Sequence, residues 1–414
     1  MEDNDTATNT TTLGAVRVQV HVQAANADNR DPSSTTYKSA RATWAPREDH
    51  DDATAPEASI EHLPGAAAVV ATTPASAPSP NQMVTIDSDA EDVDEQDQEQ
   101  VEITRTDGTQ IDESEFLADI DDDVPEIDVT HCRLYRMADL GLGRFTALER
   151  LGMRQNLFTK ISGLGRLAGT LRELDLYDNR ISKIDPIAEL DQLELLDLSF
   201  NKIKRIPPGL FSHKSKLRDL YFVANKISVI EHLDGLESLR SLELGANRIR
   251  VLENLDTLPA LEQLWVGKNK ISSLSGLAPL TNLTLLSIQS NRIVSLAGIE
   301  VLVNLEELYM SHNGVLELTH LEHNSKLRVL DMCNNRLAKL SGIAGLVHME
   351  ELWLSYNKLE NWNEIEEQTK AMTKLETIYL EGNPLQAAAG ATYRIKVKTL
   401  VPQARQIDAQ IVRR

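Results

Sequence analysis

The stretch LEQLWVGKNKISSL, residues 261–274, decides the fold. Leu261, Leu264, Val266, Ile271 and Leu274 surround Asn269 with the spacing L-x-x-L-x-L-x-x-N-x-I-x-x-L. Leu264, Trp265 and Val266 read as a short strand, in which successive side chains point to opposite faces. Leu264 and Val266 then build a core, and Trp265 is turned away from it. A tryptophan aimed away from the core calls for a reason, and the reason lies in what repeats.

From Leu148 onward the same spacing returns around Asn156, Asn179, Asn201, Asn225, Asn247, Asn269, Asn291, Asn313, Asn335, Asn357 and Asn383. From Asn225 to Asn357 every step is 22 residues. Eleven copies in register are a specific leucine-rich repeat signature. No single unit could bury its leucines alone, so stacked units share one narrow core. Each Asn is placed to bond backbone groups that the turn would leave orphaned. A 22-residue unit leaves a return too short for a long helix, so extended or 3₁₀ segments are expected on the convex side. The fold class is α/β: a leucine-rich repeat solenoid with a curved parallel sheet on its concave face.

Departures from the period are informative. The step from Asn201 to Asn225 is 24 residues and contains RIPPGLFSHKSK, with two extra residues expected to bulge on the convex side or loop edge. The step to Asn383 is 26 and carries NEIEEQTKAM, a short helix. Solenoid ends need caps. Residues 126–147 read as an N-terminal cap or degenerate repeat and 148–383 as the repeats. Residues 384–414 read as a C-terminal helix and extended segment covering the sheet edge.

The net charge of −21 is uneven. Residues 1–125 hold 28 Asp and Glu against 6 Lys and Arg, a net of −22, and the remainder sums to +1. This first segment is poor in aromatics and rich in Thr, Ala, Asp, Pro and Ser, so an acidic disordered tail is expected. The beginning, MEDNDTATNT, lacks the basic start and apolar run of a signal peptide, and no stretch is long and apolar enough to span a membrane. With two distant cysteines, Cys132 and Cys333, a reduced intracellular protein is expected, and the sequons at Asn9 and Asn282 read as chance. In the tail, Ser88 within acidic IDSDAED suits an acid-directed kinase. MVTIDSD (83–89) is similar to a SUMO-interacting motif.

Strand alternation sorts the outward residues into columns. The central one is Gly152, Asp175, Asp197, Tyr221, Glu243, Trp265, Ser287, Tyr309, Asp331, Trp353 and Tyr379. The column two residues on is mostly small (Ser199, Val223, Gly245, Gly267, Ser311, Cys333, Ser355), and the preceding one contains Glu173, Asp219, Glu307 and Glu351. A single exposed tyrosine is as readily structural as functional. Two Trp and three Tyr in one column, among acids, point to a protein-binding face. Ten strand steps give an arc of about 48 Å, a length that suits a folded domain. Acids beside aromatics predict a partner offering Lys or Arg next to apolar groups and would repel nucleic acid. No phosphate-binding G-x-x-x-x-G-K-[ST], G-x-S-x-G or H-E-x-x-H motif occurs, and the cysteines form no C-x-x-C site. Asp175 and Asp197 mimic a carboxylate pair but fall on an open surface. No enzyme activity, cofactor or metal is implied.

Residues 128–414 resemble the leucine-rich regulatory subunit family of protein phosphatase 1, regulatory subunit 7. The likeness rests on LRELDLYDNRISKI, SLELGANRIRVLENLDTL, LTNLTLLSIQSNR, LVNLEELYMSHNGV, LETIYLEGNPLQ and the ending ARQIDA. The resemblance implies a non-catalytic partner that holds the phosphatase catalytic subunit on the concave face. It carries over Asp197, Tyr221, Glu243, Trp265, Asp331, Glu351 and Trp353 as contacts; Asp175 and Tyr309 join them from the column. Tyr221 and Trp265 stand where the family typically has Phe. It further implies residence in nucleus and cytoplasm, cell-cycle roles, and a monomer within a heterodimer or larger phosphatase complex, with neither nucleic acid nor membrane as partner. The alternative is another leucine-rich interaction scaffold of ciliary or dynein-associated type.

Overall fold

A computed structural model of the chain describes residues 113–412, apart from 185, 186 and 188, together with two short antiparallel strands, β1 (Thr12–Leu13) and β2 (Val16–Arg17). Most of the expected acidic tail, including Ser88 and the 83–89 motif, lies outside the described residues.

The repeats form one 14-stranded sheet whose strands lie side by side in sequence order. They are β3 (Glu126–Asp128), β4 (Arg150–Gly152), β5 (Glu173–Asp175), β6 (Leu195–Asp197), β7 (Asp219–Tyr221), β8 (Ser241–Glu243), β9 (Gln263–Trp265), β10 (Leu285–Ser287), β11 (Glu307–Tyr309), β12 (Val329–Asp331), β13 (Glu351–Trp353), β14 (Thr377–Tyr379), β15 (Gln406–Ile407) and β16 (Gln410–Ile411). All neighbours run parallel except the last pair, β15 and β16. The middle residue of each three-residue strand points inward. Leu242, Leu264 and Leu286 are in direct register and fully buried. The returns are turns with brief 3₁₀ segments such as Gly165–Leu167 and Ser275–Leu277.

Strands β4 to β14 each end in a turn held by an asparagine. The Asn269 amide nitrogen faces the carbonyls of Leu244 (2.9 Å), Val266 (3.1 Å) and Gly267 (3.3 Å), and its oxygen accepts the Ile249 N–H (2.9 Å). One side chain therefore ties its own turn to the preceding repeat. The residue just before the asparagine takes a left-handed conformation: Ala246, Lys268 and Ser290 all have φ 54°. That conformation costs an L-residue about 1 kcal/mol, and the asparagine's bonds hold it there.

The long 24-residue step keeps this frame. Gly209 turns the chain at φ 74°, and Leu210 and Phe211 enter the core, so the insertion is not a simple outward bulge. Lys214 is fully buried where neighbouring repeats have Leu190, Leu236 and Leu258; its ammonium lies 3.7 Å from the Asp191 carboxylate. Burial lowers its pKa from the ordinary lysine value.

At the N-terminal end the packed body begins earlier than residue 126. Leu117 and Val124 are buried, and the Glu113 carboxylate accepts the N–H groups of Tyr135 and Arg136, both at 2.8 Å. Residues 113–125, expected in the tail, therefore pack with the cap, because Phe116, Leu117, Ile120 and Val124 bring apolar surface into an acidic stretch. At the other end, α1 (Trp362–Thr369) is capped by Asn361, and α2 (Pro384–Ala389) and α3 (Tyr393–Leu400) lead into β15. Asp408 accepts the N–H groups of Leu380 (2.9 Å) and Glu381 (3.1 Å) and the Tyr393 hydroxyl (3.2 Å), closing the last turn where no further repeat follows.

Removing one asparagine should therefore orphan buried groups in two repeats. Asn269→Ala is expected to cost about 3 kcal/mol, read as a lower midpoint in urea denaturation; an unchanged midpoint would show that the turns do not depend on this bond set.

Candidate partner-binding face

The register brings the outward column together residue by residue. Gly152, Asp175, Asp197, Tyr221, Glu243 and Trp265 are successive partners across β4–β9. Ser287, Tyr309, Asp331, Trp353 and Tyr379 continue the row across β10–β14. Glu351 lies one column over, two residues before Trp353 on β13.

The row divides into an acidic half and an aromatic half. Asp175, Asp197 and Glu243 surround Tyr221 on β5–β8, with Asp219 in the adjoining column. All are only partly exposed. Desolvation, opposed by the Ser199 N–H and reinforced by Asp175, pushes the Asp197 carboxyl up to about 6. Desolvation and the charges of Asp197 and Asp219 push Glu243 up to about 7. Burial also raises Asp219 and Tyr221 from their ordinary values. Arg154 pairs with Asp175 at the edge of this group.

The aspartates serve their own turns as well. Asp175 accepts the Tyr177 N–H (3.0 Å), Asp197 that of Ser199 (2.8 Å) and Asp331 that of Cys333 (3.0 Å). This local side-chain-to-backbone bond is the habit of Asp where a strand ends. Glu243 has no such bond among the described residues, and no basic neighbour offsets its desolvation.

On β9–β13 the rings meet across alternate strands, and the last pair meets across the neighbouring strands β13 and β14. Trp265 and Tyr309 stack with centroids 6.5 Å apart and planes 16° apart. Tyr309 meets Trp353 at 6.3 Å and 62°, and Trp353 meets Tyr379 at 5.7 Å and 58°. The residues between the first three rings are Ser287 and Asp331, each only 4% exposed. Asp331 is thus a departure from the expected face. It lies in register between Tyr309 and Trp353, burial raises its pKa, and the Cys333 N–H and Ser311 oppose that rise. The indole N–H of Trp353 is buried without a hydrogen-bond partner, while the Tyr309 hydroxyl donates to Glu307 (2.8 Å).

Most expected residues therefore share one surface: Asp175, Asp197, Tyr221, Glu243, Trp265, Tyr309, Glu351 and Trp353. Column reading missed the ring contacts that skip a strand and left Tyr379 outside the chosen set. The signal available was the 44-residue spacing of Trp265, Tyr309 and Trp353 with a small or acidic residue midway. Among the described residues no cluster of three or more His, Cys, Asp or Glu could hold a metal ion, and no helix is long and apolar enough to cross a membrane.

Leucine-rich repeat models match residues 169–227, 191–249, 237–279 and 325–367. An internalin of Listeria monocytogenes superposes with a TM-score of 0.56 at 21% identity, covering 74% of this chain and 91% of its own. A leucine-rich repeat protein of Leptospira interrogans gives 0.54 at 22%, covering 67% and 82%. The chain has the leucine-rich repeat fold. Within that class it is similar to regulatory subunits of protein phosphatase 1. It is 52% identical over 52 residues to the subunit SDS22 of Schizosaccharomyces pombe, covering 13% of this chain and 16% of that protein. It is 41% identical over 88 residues to SDS22 of Saccharomyces cerevisiae (20% and 26%), and 48% identical over 54 residues to regulatory subunit 7 of Homo sapiens (13% and 14%). The matched stretches span about a seventh to a quarter of these relatives.

Raised carboxyl pKa values mean that the folded chain holds more protons than the unfolded one between their ordinary values and about 6 to 7. The contribution of Asp197 and Glu243 to stability therefore falls as pH rises through that window. Glu243→Gln is expected to raise the melting temperature at pH near 8, with the gain shrinking toward pH near 4. Melting curves across that range check it, and a gain that grows at low pH would contradict the assignment.

Proposed function

We propose that the chain is a non-catalytic regulatory subunit that holds the catalytic subunit of protein phosphatase 1 on its concave face and modulates its activity, maturation or targeting. The observation that carries this reading is the coincidence of two things: relatives named as regulatory subunits of that phosphatase, and a continuous aromatic ladder beside a desolvated acidic group. Neither half would serve alone. Large rings on a rigid sheet lose little entropy on binding and provide apolar area, the usual basis of interface hot spots. The acids select orientation by favouring a partner with Lys or Arg opposite Asp197 and Glu243. A cation arriving there also offsets the desolvation and mutual repulsion that raise the pKa values of these carboxyls.

The small column alongside, with Gly245, Gly267 and Ser311, lets a partner approach the sheet closely. Glu351 flanks Trp353 and extends the acidic character into the aromatic half. A phosphatase subunit held in this way would be a one-to-one partner of a monomeric solenoid, in nucleus and cytoplasm.

Trp265→Ala and Trp353→Ala are each expected to weaken binding of the phosphatase 1 catalytic subunit by about 2 kcal/mol, or about 30-fold, in calorimetric titration, without unfolding the solenoid. Wild-type affinity in both variants would remove the concave face from the proposal. Absence of binding by the wild-type chain would remove the phosphatase and favour another scaffold role.

A further inference from the structure

The nearly neutral sum of the repeat body conceals a separation of charge between its two rims. On the rim that enters the strands, acids and bases alternate and pair across repeats. Arg172 bonds Glu194 (2.7 Å), Arg240 bonds Glu262 (3.2 Å), and Arg328 reaches Glu350 (2.9 Å) and Glu306 (3.3 Å). The rim that leaves the strands is different. In the six repeats from Asn179 to Ser295, the residues from each asparagine to four positions beyond it include ten Lys and Arg and no Asp or Glu.

The core of this surface is a single file: Arg180, Lys202, Lys226, Arg248, Lys270 and Arg292, each directly after the turn asparagine. Its alignment follows from the fold. Lys202 sits between buried Asn201 and buried Ile203, and Lys270 between buried Asn269 and buried Ile271, so both side chains are left to point outward. Each backbone N–H is tied to the preceding repeat, Lys202 to the Ile181 carbonyl and Lys270 to that of Ile249, both at 2.8 Å. Arg180, Lys202, Lys270 and Arg292 form no ion pair among the described residues. Cations about 4.8 Å apart lie well inside the screening length of about 8 Å at physiological salt. Their fields add, and their mutual repulsion is relieved by an anionic chain laid along them.

We propose that this basic file docks an acidic, extended segment of a partner protein. Six repeats span about 24 Å, which matches about seven extended residues. Two features favour a polypeptide over a nucleic acid. Aromatic rings stand beside the file only at its first two turns, where Tyr177 and Phe200 pack on each other, and the turns from Asn225 to Arg292 offer no ring on which successive bases could stack. The whole chain carries a net charge of −21, which repels a long polyphosphate more than a short acidic peptide. The surface lies past the turn from the concave column, so a partner on that column leaves it accessible.

The test is fluorescence anisotropy with the full chain and a fluorescein-labelled peptide of about twelve alternating Glu and Ser residues. The wild-type chain is expected to bind it, with affinity falling steeply between about 50 and 200 mM salt. A Lys202→Glu, Lys270→Glu, Arg292→Glu variant should lose at least about tenfold, while Arg240→Glu on the opposite rim should not. If the triple variant melts low, the three single reversals on the same file carry the test. Equal binding by wild type and reversals would overturn the proposal, as would tighter binding of an oligouridylate of the same length. Binding only after the nine Asp and Glu of residues 87–102 are changed to Asn and Gln would overturn it too, assigning the rim to the chain's own acidic stretch.

Discussion

An asparagine closes the turn after each of the strands β4 to β14, and the rest of the molecule depends on its bonds. The side chain spans its own turn and the repeat before it, so it fixes the height of each strand against its neighbour as well as the turn itself. Asn225, Asn247 and Asn269 repeat the same set of partners one repeat apart. A strand shifted by one residue would bury Trp265 and expose Leu264 and Val266. The register that lines up the concave column is therefore a consequence of the turn bonds, with the leucines supplying the driving force and the asparagines the alignment.

This explains why so much was legible in the sequence. In a solenoid, a residue's environment follows from its place in the repeat. Asn at one position and Leu at three others located the strands, the core and the outward columns without any knowledge of tertiary contacts. What escaped is what depends on the identity of a neighbour two repeats away. Trp265 and Tyr309 meet because Ser287 is too small to separate them, and Tyr309 and Trp353 meet over Asp331. Asp331 is the same kind of case: strand alternation turns it outward with the column, yet between Tyr309 and Trp353 it is only 4% exposed. Lys214 is a second case, a charged residue at a leucine position whose burial no local pattern foretells. The start of the packed body also eluded composition. Leu117 and Val124 are two apolar residues in an acidic run, and only their contacts with the cap show that they belong to it.

The two halves of the concave face perform different physical tasks. Rings packed on one another are preorganised and have paid their ordering entropy on folding, so their apolar area is available to a partner at little further cost. The carboxyls of Asp197 and Glu243 are partly desolvated before any partner arrives, so completing their burial costs less than it would from open water. A surface of this kind favours a partner that brings a cation and an apolar group at a spacing of one or two strands. The aspartates, by bonding their own turns, are held in place for this; Glu243 and Glu351 retain more freedom to follow the partner.

Net charge is a poor guide to such a molecule. The repeat body sums to almost nothing, yet the concave row of β5–β8 is acidic, the entering rim is neutralised by paired arginines and glutamates, and the leaving rim is basic. Each of these is one repeat position read along the stack. Because consecutive repeats lie closer together than the screening length, a charge preference at a single position becomes a continuous stripe, and positions of opposite preference become opposed stripes. A globular domain scatters its charges over unrelated surface sites. A solenoid cannot: a substitution at one position in several repeats changes one stripe and leaves the others as they were. The same periodicity that stacks the leucines thus separates the acidic face from the basic rim, and lets one short motif specify two surfaces of opposite sign.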